Sequence, residues 1–123
     1  MGNWSEKKIL IAEDELANYL YIKAILKKTN VTEEHAENGA KAIEMLKTND
    51  YDLILMDLKM PVMDGFEATK LIRKTNKKMI IIAQTAFAFK RDECIEMGFT
   101  DFISKPYTKD QLIDLFDKYL KNW

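Results

Sequence analysis

The stretch "DLILMDLKMPVMDG", residues 52–65, decides the fold. Its residues 53–56 are apolar without alternation, which fits a central parallel strand buried on both faces rather than a strand with one wet side. The run then stops on a carboxylate, Asp57. A strand-ending acid is either a turn residue or a functional group, and Pro61, Asp64 and Gly65 already supply turn chemistry of their own. Asp57 is left over from the turn and becomes the first candidate for chemistry.

On either side of this stretch, short apolar runs alternate with segments of helical spacing. "KKILIAED" gives a first strand whose apolar run, residues 9–12, ends in acids. From about 15 to 28, Leu16, Tyr19, Leu20, Ile22, Lys23, Ile25 and Leu26 form a broad stripe suited to a helix packed on a sheet. "VTEEHAEN" is more polar and belongs at a sheet edge, and "GAKAIEMLKTN" reads as a helix with Ala42, Ile43, Met45 and Leu46 inward. Beyond Asp57, "GFEATKLIRKTN" is helical and "MIIIAQTA" is a fully apolar strand. "KRDECIEMG" is a short helix closed by Gly98, "DFISK" a last strand, and "TKDQLIDLFDKYL" a helix with Thr108 as N-cap. Five strands thus alternate with five helices, with no linker, repeat or low-complexity tract between them. Right-handed crossovers turn that order into an open, doubly wound parallel α/β sheet with helices on both faces.

Composition agrees with one domain over residues 8–123, preceded by a flexible leader at 1–7. A chain of 123 residues with a 47% hydrophobic share can bury a single core. Nineteen basic against twenty acidic residues leave a net charge of -1, so the electropositive footprint of a nucleic-acid binder is missing. One cysteine, Cys94, forms no internal disulfide, and neither a signal-peptide core nor an apolar run of about 18 residues occurs. A cytoplasmic location without membrane insertion is expected. The start "MGNWSE" places Glu6 where a myristoylation signal needs Ser or Thr.

In doubly wound sheets the ligand site lies beyond the carboxyl ends of the strands, where strand order reverses. The polar residues at those ends are Glu13 and Asp14, Asp57, Thr85, and Lys105 followed by Pro106. Three carboxylates gathered on one rim repel, each pair about 4 Å apart by roughly 4 kcal/mol at an effective dielectric near 20. Lys105 offsets one charge; a hard divalent cation suits an all-oxygen cluster better, and Mg²⁺ commonly takes one or two carboxylates with waters and phosphate oxygens. His35 and Cys94 fall outside the cluster, which disfavours zinc or copper, and calcium lacks an EF-hand spacing. Each residue also has a plainer reading. Glu13 and Asp14 could cap the following helix, Thr85 could be a satisfied strand-end hydroxyl, and Lys105 could be solvated surface. Their arrival together, each after an expected strand, is the specific signal.

The ordered set "AED", "MDLKMPVMDG", "QTA" and "SKP" resembles the receiver domain of two-component response regulators, over about residues 8–120. The stretch "MDLKMPVMDGFEATKLIRK" is similar above all to receivers attached to hybrid sensor kinases. The resemblance implies the flavodoxin-like strand order 2-1-3-4-5. It implies that Asp57 accepts a phosphoryl group from a phosphohistidine on a histidine kinase or histidine phosphotransfer protein. It further implies that Asp14 and Asp57 bind Mg²⁺ directly, that Glu13 acts through water, and that the Lys59 backbone carbonyl completes the protein ligands. Lys105 would pair with a phosphate oxygen and Pro106 would follow a cis peptide, against a general X-Pro cis frequency of about 5–6%. Thr85 would donate its hydroxyl to the phosphoryl group, and Phe102 would rotate inward as the switch aromatic, though a plain core Phe is its other reading. The face of the fourth helix, fifth strand and fifth helix would then change its affinity for partners or for a second copy. Such a domain is not an enzyme in the ordinary sense; it assists only its own phosphorylation and dephosphorylation.

Two positions depart from the usual pattern: Glu13 stands where many members have Asp, and bulky Phe87 borders the phosphate site, where it is expected to limit the attack of water. The competing functional classes are a pseudo-receiver, which keeps the fold as an interaction module without phosphotransfer, and a haloacid-dehalogenase-type phosphatase. The latter wants a second Asp where Lys59 stands. A flavin-binding module would need a phosphate loop where the acidic "AEDELAN" lies.

Overall fold

A computed structural model describes residues 3–86 and 91–121. Five strands, β1 (Lys8–Ala12), β2 (Thr32–Ala36), β3 (Leu53–Asp57), β4 (Ile81–Thr85) and β5 (Asp101–Ser104), pair in parallel in the order β2-β1-β3-β4-β5. The helices are α1 (Leu16–Leu26), α2 (Gly39–Leu46), α3 (Gly65–Thr75), α4 (Arg91–Glu96) and α5 (Lys109–Leu120). Strand alternation divides the aliphatic residues between two cores. Leu10, Ala12, Ile54 and Met56 meet Ala42, Ala68, Ile72 and Cys94 of α2, α3 and α4, while Ile9, Ile11, Leu53 and Leu55 meet Ile22, Ile25, Leu112 and Phe116 of α1 and α5. Every residue of β3 and of β4 is buried, as continuous apolar runs in central strands require. β2, at one edge, carries Glu33 and Glu34, charges that discourage further pairing along that edge. Among the described residues, no helix is long and apolar enough to cross a membrane.

Two expectations change. The stripe expected on α1 is narrower: Ile22, Ile25 and Leu26 are buried, whereas Leu16 and Leu20 are 64% and 50% exposed. At about 100° per residue, Leu16 and Leu20 fall well round the helix from Ile22, and Asn18 falls on the inward side in their place. The leader expected at 1–7 is also not free of the domain. Trp4 is buried against Phe116 of α5, and its backbone N–H donates to Thr29 O at 2.7 Å. An indole that can be taken out of water against an aromatic neighbour outweighs the entropy of a loose segment.

Candidate functional site

The register of the sheet assembles the site. Ala12 pairs with Met56 and Asp57 pairs with Gln84, so the residue following β1, Glu13, comes alongside Asp57. The turn after β3 is closed by a tight approach: the Gly65 N–H donates to Leu58 O at 3.1 Å, and a Cβ on Gly65 would lie 2.2 Å from Asp57 O. Only glycine lets α3 begin there. Asp64 caps that helix, accepting from Glu67 N at 2.8 Å, so the turn consumes Asp64 and leaves the Asp57 side chain for the site.

Glu13, Asp14 and Asp57 each offer a carboxylate oxygen, and these atoms lie within 4.8 Å of one another. Glu13 and Asp57 are buried and Asp14 is exposed. Lys105 Nζ donates to Asp57 Oδ2 at 3.0 Å and lies 3.6 Å from Glu13 Oε1. Burial works against its charge, but the hydrogen bond and charge of Asp57, with those of Glu13 and Glu15, hold the Lys105 ammonium above the ordinary lysine range. Asp57 Oδ1 accepts from Lys59 N at 3.3 Å. Three acids against this one lysine, all with hard oxygen atoms, make a donor set suited to a hard cation. His35 adds no metal donor: its Nε2 donates to the Glu13 backbone oxygen at 2.7 Å, and its ring stacks on Tyr19.

Glu13 is bonded on both of its carboxylate oxygens. Its Oε2 accepts from the Glu15 N–H at 3.1 Å at the start of α1, and its Oε1 accepts from Asn18 Nδ2 and, at 2.9 Å, from Gln84 Nε2. Gln84 Oε1 in turn accepts from the Tyr107 hydroxyl and from Asn18 Nδ2. Burial and the nearby charge of Glu13 push the Tyr107 hydroxyl well above the ordinary tyrosine range, so it stays protonated and able to donate.

Thr85 is buried at the end of β4, its carbonyl accepting from Lys105 N at 2.7 Å, and it pairs in register with Ser104. Phe102 is half-buried and packs on the core under α2, α3 and α4. The Lys105–Pro106 peptide is cis. Phe87 lies outside the described residues. Sequence reasoning passed over Asn18, Gln84 and Tyr107. Gln84 did carry a signal, since it is the one amide inside the run "MIIIAQTA".

A sequence profile for the response regulator receiver domain matches residues 9–117. The hybrid signal transduction histidine kinase B of Dictyostelium discoideum is 40% identical over 94% of this chain, which corresponds to 7% of that protein. The chain spans less than a fifth of the length of the curated relatives it matches. Among solved structures, the receiver domain of a sensor histidine kinase from Pseudomonas aeruginosa, with a magnesium ion coordinated in its active-site cleft, is 31% identical. It superposes with a TM-score of 0.84, covering 93% of this chain and 97% of that one. The Saccharomyces cerevisiae complex of the histidine phosphotransfer protein Ypd1 with the receiver domain of Ssk1 gives 28% identity and a TM-score of 0.84 over 92% of this chain and 88% of that one. With the profile spanning nearly all of the described chain and the strand order in agreement, the protein belongs to the response regulator receiver domain family.

Proposed function

We propose that this domain accepts a phosphoryl group on Asp57 from a phosphohistidine and relays it as a surface change. The observation that carries the reading is Asp57 itself, buried at a strand tip, held by Lys105 at 3.0 Å, with two further carboxylates within 4.8 Å. One Asp57 carboxylate oxygen attacks phosphorus, the phosphorus–nitrogen bond to the donor imidazole breaks, and an acyl phosphate forms as the imidazole leaves. Such a transfer has a loose transition state, so positioning and neutralisation of charge do most of the work. Asp14 and Asp57, with Glu13 and the Lys59 carbonyl, would hold Mg²⁺, which supplies charge neutralisation at the transferring oxygens when bound. Lys105, already paired with Asp57, turns to a phosphoryl oxygen.

The added group carries about -1.5 to -2 charges and three strong acceptors, to one of which the Thr85 hydroxyl donates. Phe102 then follows into the space that Thr85 leaves, changing the face of α4, β5 and α5 toward partners or a second copy. That face is already tied together: Asp101 accepts from Tyr119 Oη at 2.6 Å and pairs with Arg91 at 3.5 Å and Lys118 at 3.7 Å. The phosphoryl donor is a histidine kinase or a histidine phosphotransfer protein of the kind that binds the Ssk1 receiver. The exposed Leu16 and Leu20 on α1, with Tyr21 beside Lys105 and Pro106, offer such a partner an apolar rim. The domain acts on its own acyl phosphate and turns over no external substrate.

Incubation with a small-molecule phosphodonor and Mg²⁺ is expected to yield a base-labile phosphoryl adduct by intact mass, and Asp57→Asn is expected to abolish it. An adduct of equal yield on Asp57→Asn would move the acceptor to another side chain.

A further inference from the structure

We propose that Gln84 is a positioning residue for the Glu13 carboxylate, with Tyr107 acting through it and Asn18 bonded to both; this rests on reading Glu13, Asp14 and Asp57 as a Mg²⁺ site. Gln84 is fully buried in β4, between β3 and β5, where an aliphatic residue would pack without needing partners. A buried carboxamide is costly unless its donors and acceptors are met. Here they are met by the site. Register places Gln84 beside Asp57, and alternation sends its side chain toward α1 and α5, opposite to that of Thr85.

The direction of each hydrogen bond follows from the charge on Glu13. A carboxylate only accepts, so Gln84 presents its NH₂ to Glu13 Oε1, at 2.9 Å. Its carbonyl oxygen therefore faces Tyr107 and Asn18, both of which must donate. Tyr107 is itself held in place, its backbone carbonyl accepting from Tyr21 Oη at 2.8 Å. The chain of donors thus runs from the loop that follows Lys105 and Pro106 inward to the acid beside Asp57.

Glu13 needs such a clamp more than an aspartate would. It has one more rotatable bond, and the same Oε1 lies 3.6 Å from Lys105, toward which a free carboxylate would swing. Asn18 and Gln84 occupy Oε1, and the Glu15 N–H occupies one side of Oε2. Of about four lone-pair sites on a carboxylate, one on Oε2 is left to accept from water in a metal's shell. Groups that orient a metal ligand from behind typically change metal affinity about 10–100-fold when removed.

The test is calorimetric titration of the unphosphorylated protein with Mg²⁺ at fixed pH, with Gln84→Leu, Tyr107→Phe, the double variant and Asp14→Asn. Gln84→Leu is expected to weaken Mg²⁺ about tenfold or more and Tyr107→Phe about threefold. The double variant should be no weaker than Gln84→Leu alone, because both act through one chain of contacts. A purely structural glutamine would lower the melting temperature and leave Mg²⁺ affinity alone. A folded Gln84→Leu that binds within twofold of the parent overturns the proposal. Should Gln84→Leu not fold, Tyr107→Phe decides, and parental affinity there overturns it equally. If the parent binds Mg²⁺, Asp14→Asn does not, and the other variants are unchanged, only the role of Gln84 falls; if the parent shows no binding, the metal site and this inference fall together.

Discussion

Lys105 faces two buried carboxylates, at 3.0 Å from Asp57 and 3.6 Å from Glu13, and its charge offsets their repulsion. Lys105→Ala is therefore expected to lower stability in Mg²⁺-free buffer by about 1–3 kcal/mol, the usual cost of leaving buried polar groups without a partner. Millimolar Mg²⁺ should restore much of that loss, and its affinity should be at least parental, because a competing positive charge has gone. Thermal melts with and without Mg²⁺ check this; a variant that melts like the parent without metal would show that the pair contributes nothing. Gly65 sets the other side of the site. A methyl group there meets the backbone oxygen of Asp57 at 2.2 Å, so Gly65→Ala should cost about 1–3 kcal/mol in denaturant titration through strain at the turn. The tips of the strands were readable as single letters, because a carboxylate after four aliphatic residues has no packing reason to be there. Gln84 was not, since whether an amide in an apolar run is tolerated or employed depends on what stands opposite, and that is Glu13, 71 positions away.

At the scale of elements, the strands were the legible part. Continuous apolar runs have one meaning in a parallel sheet, and the edge position of β2 followed from its glutamates. The phase of α1 was less legible: seven candidate stripe positions over eleven residues leave several rotations open, and only the sheet beneath selects Ile22, Ile25 and Leu26. Leu16→Gln and Leu20→Gln should accordingly change stability by no more than about 0.5 kcal/mol. Ile25→Ala on the same helix should cost about 2–5 kcal/mol. Equal losses for Leu20→Gln and Ile25→Ala in denaturant curves would rotate the helix relative to the sheet. α5 carries its own start signal, with Thr108 accepting from Gln111 N at 3.2 Å and Gln111 accepting from Thr108 N at 2.8 Å. Thr108→Ala should cost about 1 kcal/mol while leaving Mg²⁺ affinity unchanged, because its hydroxyl oxygen is engaged by Gln111 N and not by the acids.

At the scale of the whole molecule, several phenols are hidden acids. Tyr19, Tyr51, Tyr107 and Tyr119 are all pushed above the ordinary tyrosine range, Tyr19 to about 12, first by burial and then mostly by a neighbouring carboxylate. A phenol whose folded pKa is raised adds stability that is complete below the unfolded value near 10 and is lost as pH rises toward the folded value. Unfolding free energy should therefore fall steadily above about pH 10, with tyrosinate absorbance appearing together with loss of far-ultraviolet ellipticity. Phenolate absorbance that develops fully while the helices stay intact would contradict the buried pairings. The molecule also closes on itself at the segment before β1, where the indole of Trp4 lies with its ring centre 6.4 Å from that of Phe116. A natural fluorophore is thus seated against α5, so in a Trp123→Phe background the emission maximum becomes a label-free gauge of whether α5 tilts when Asp57 is modified.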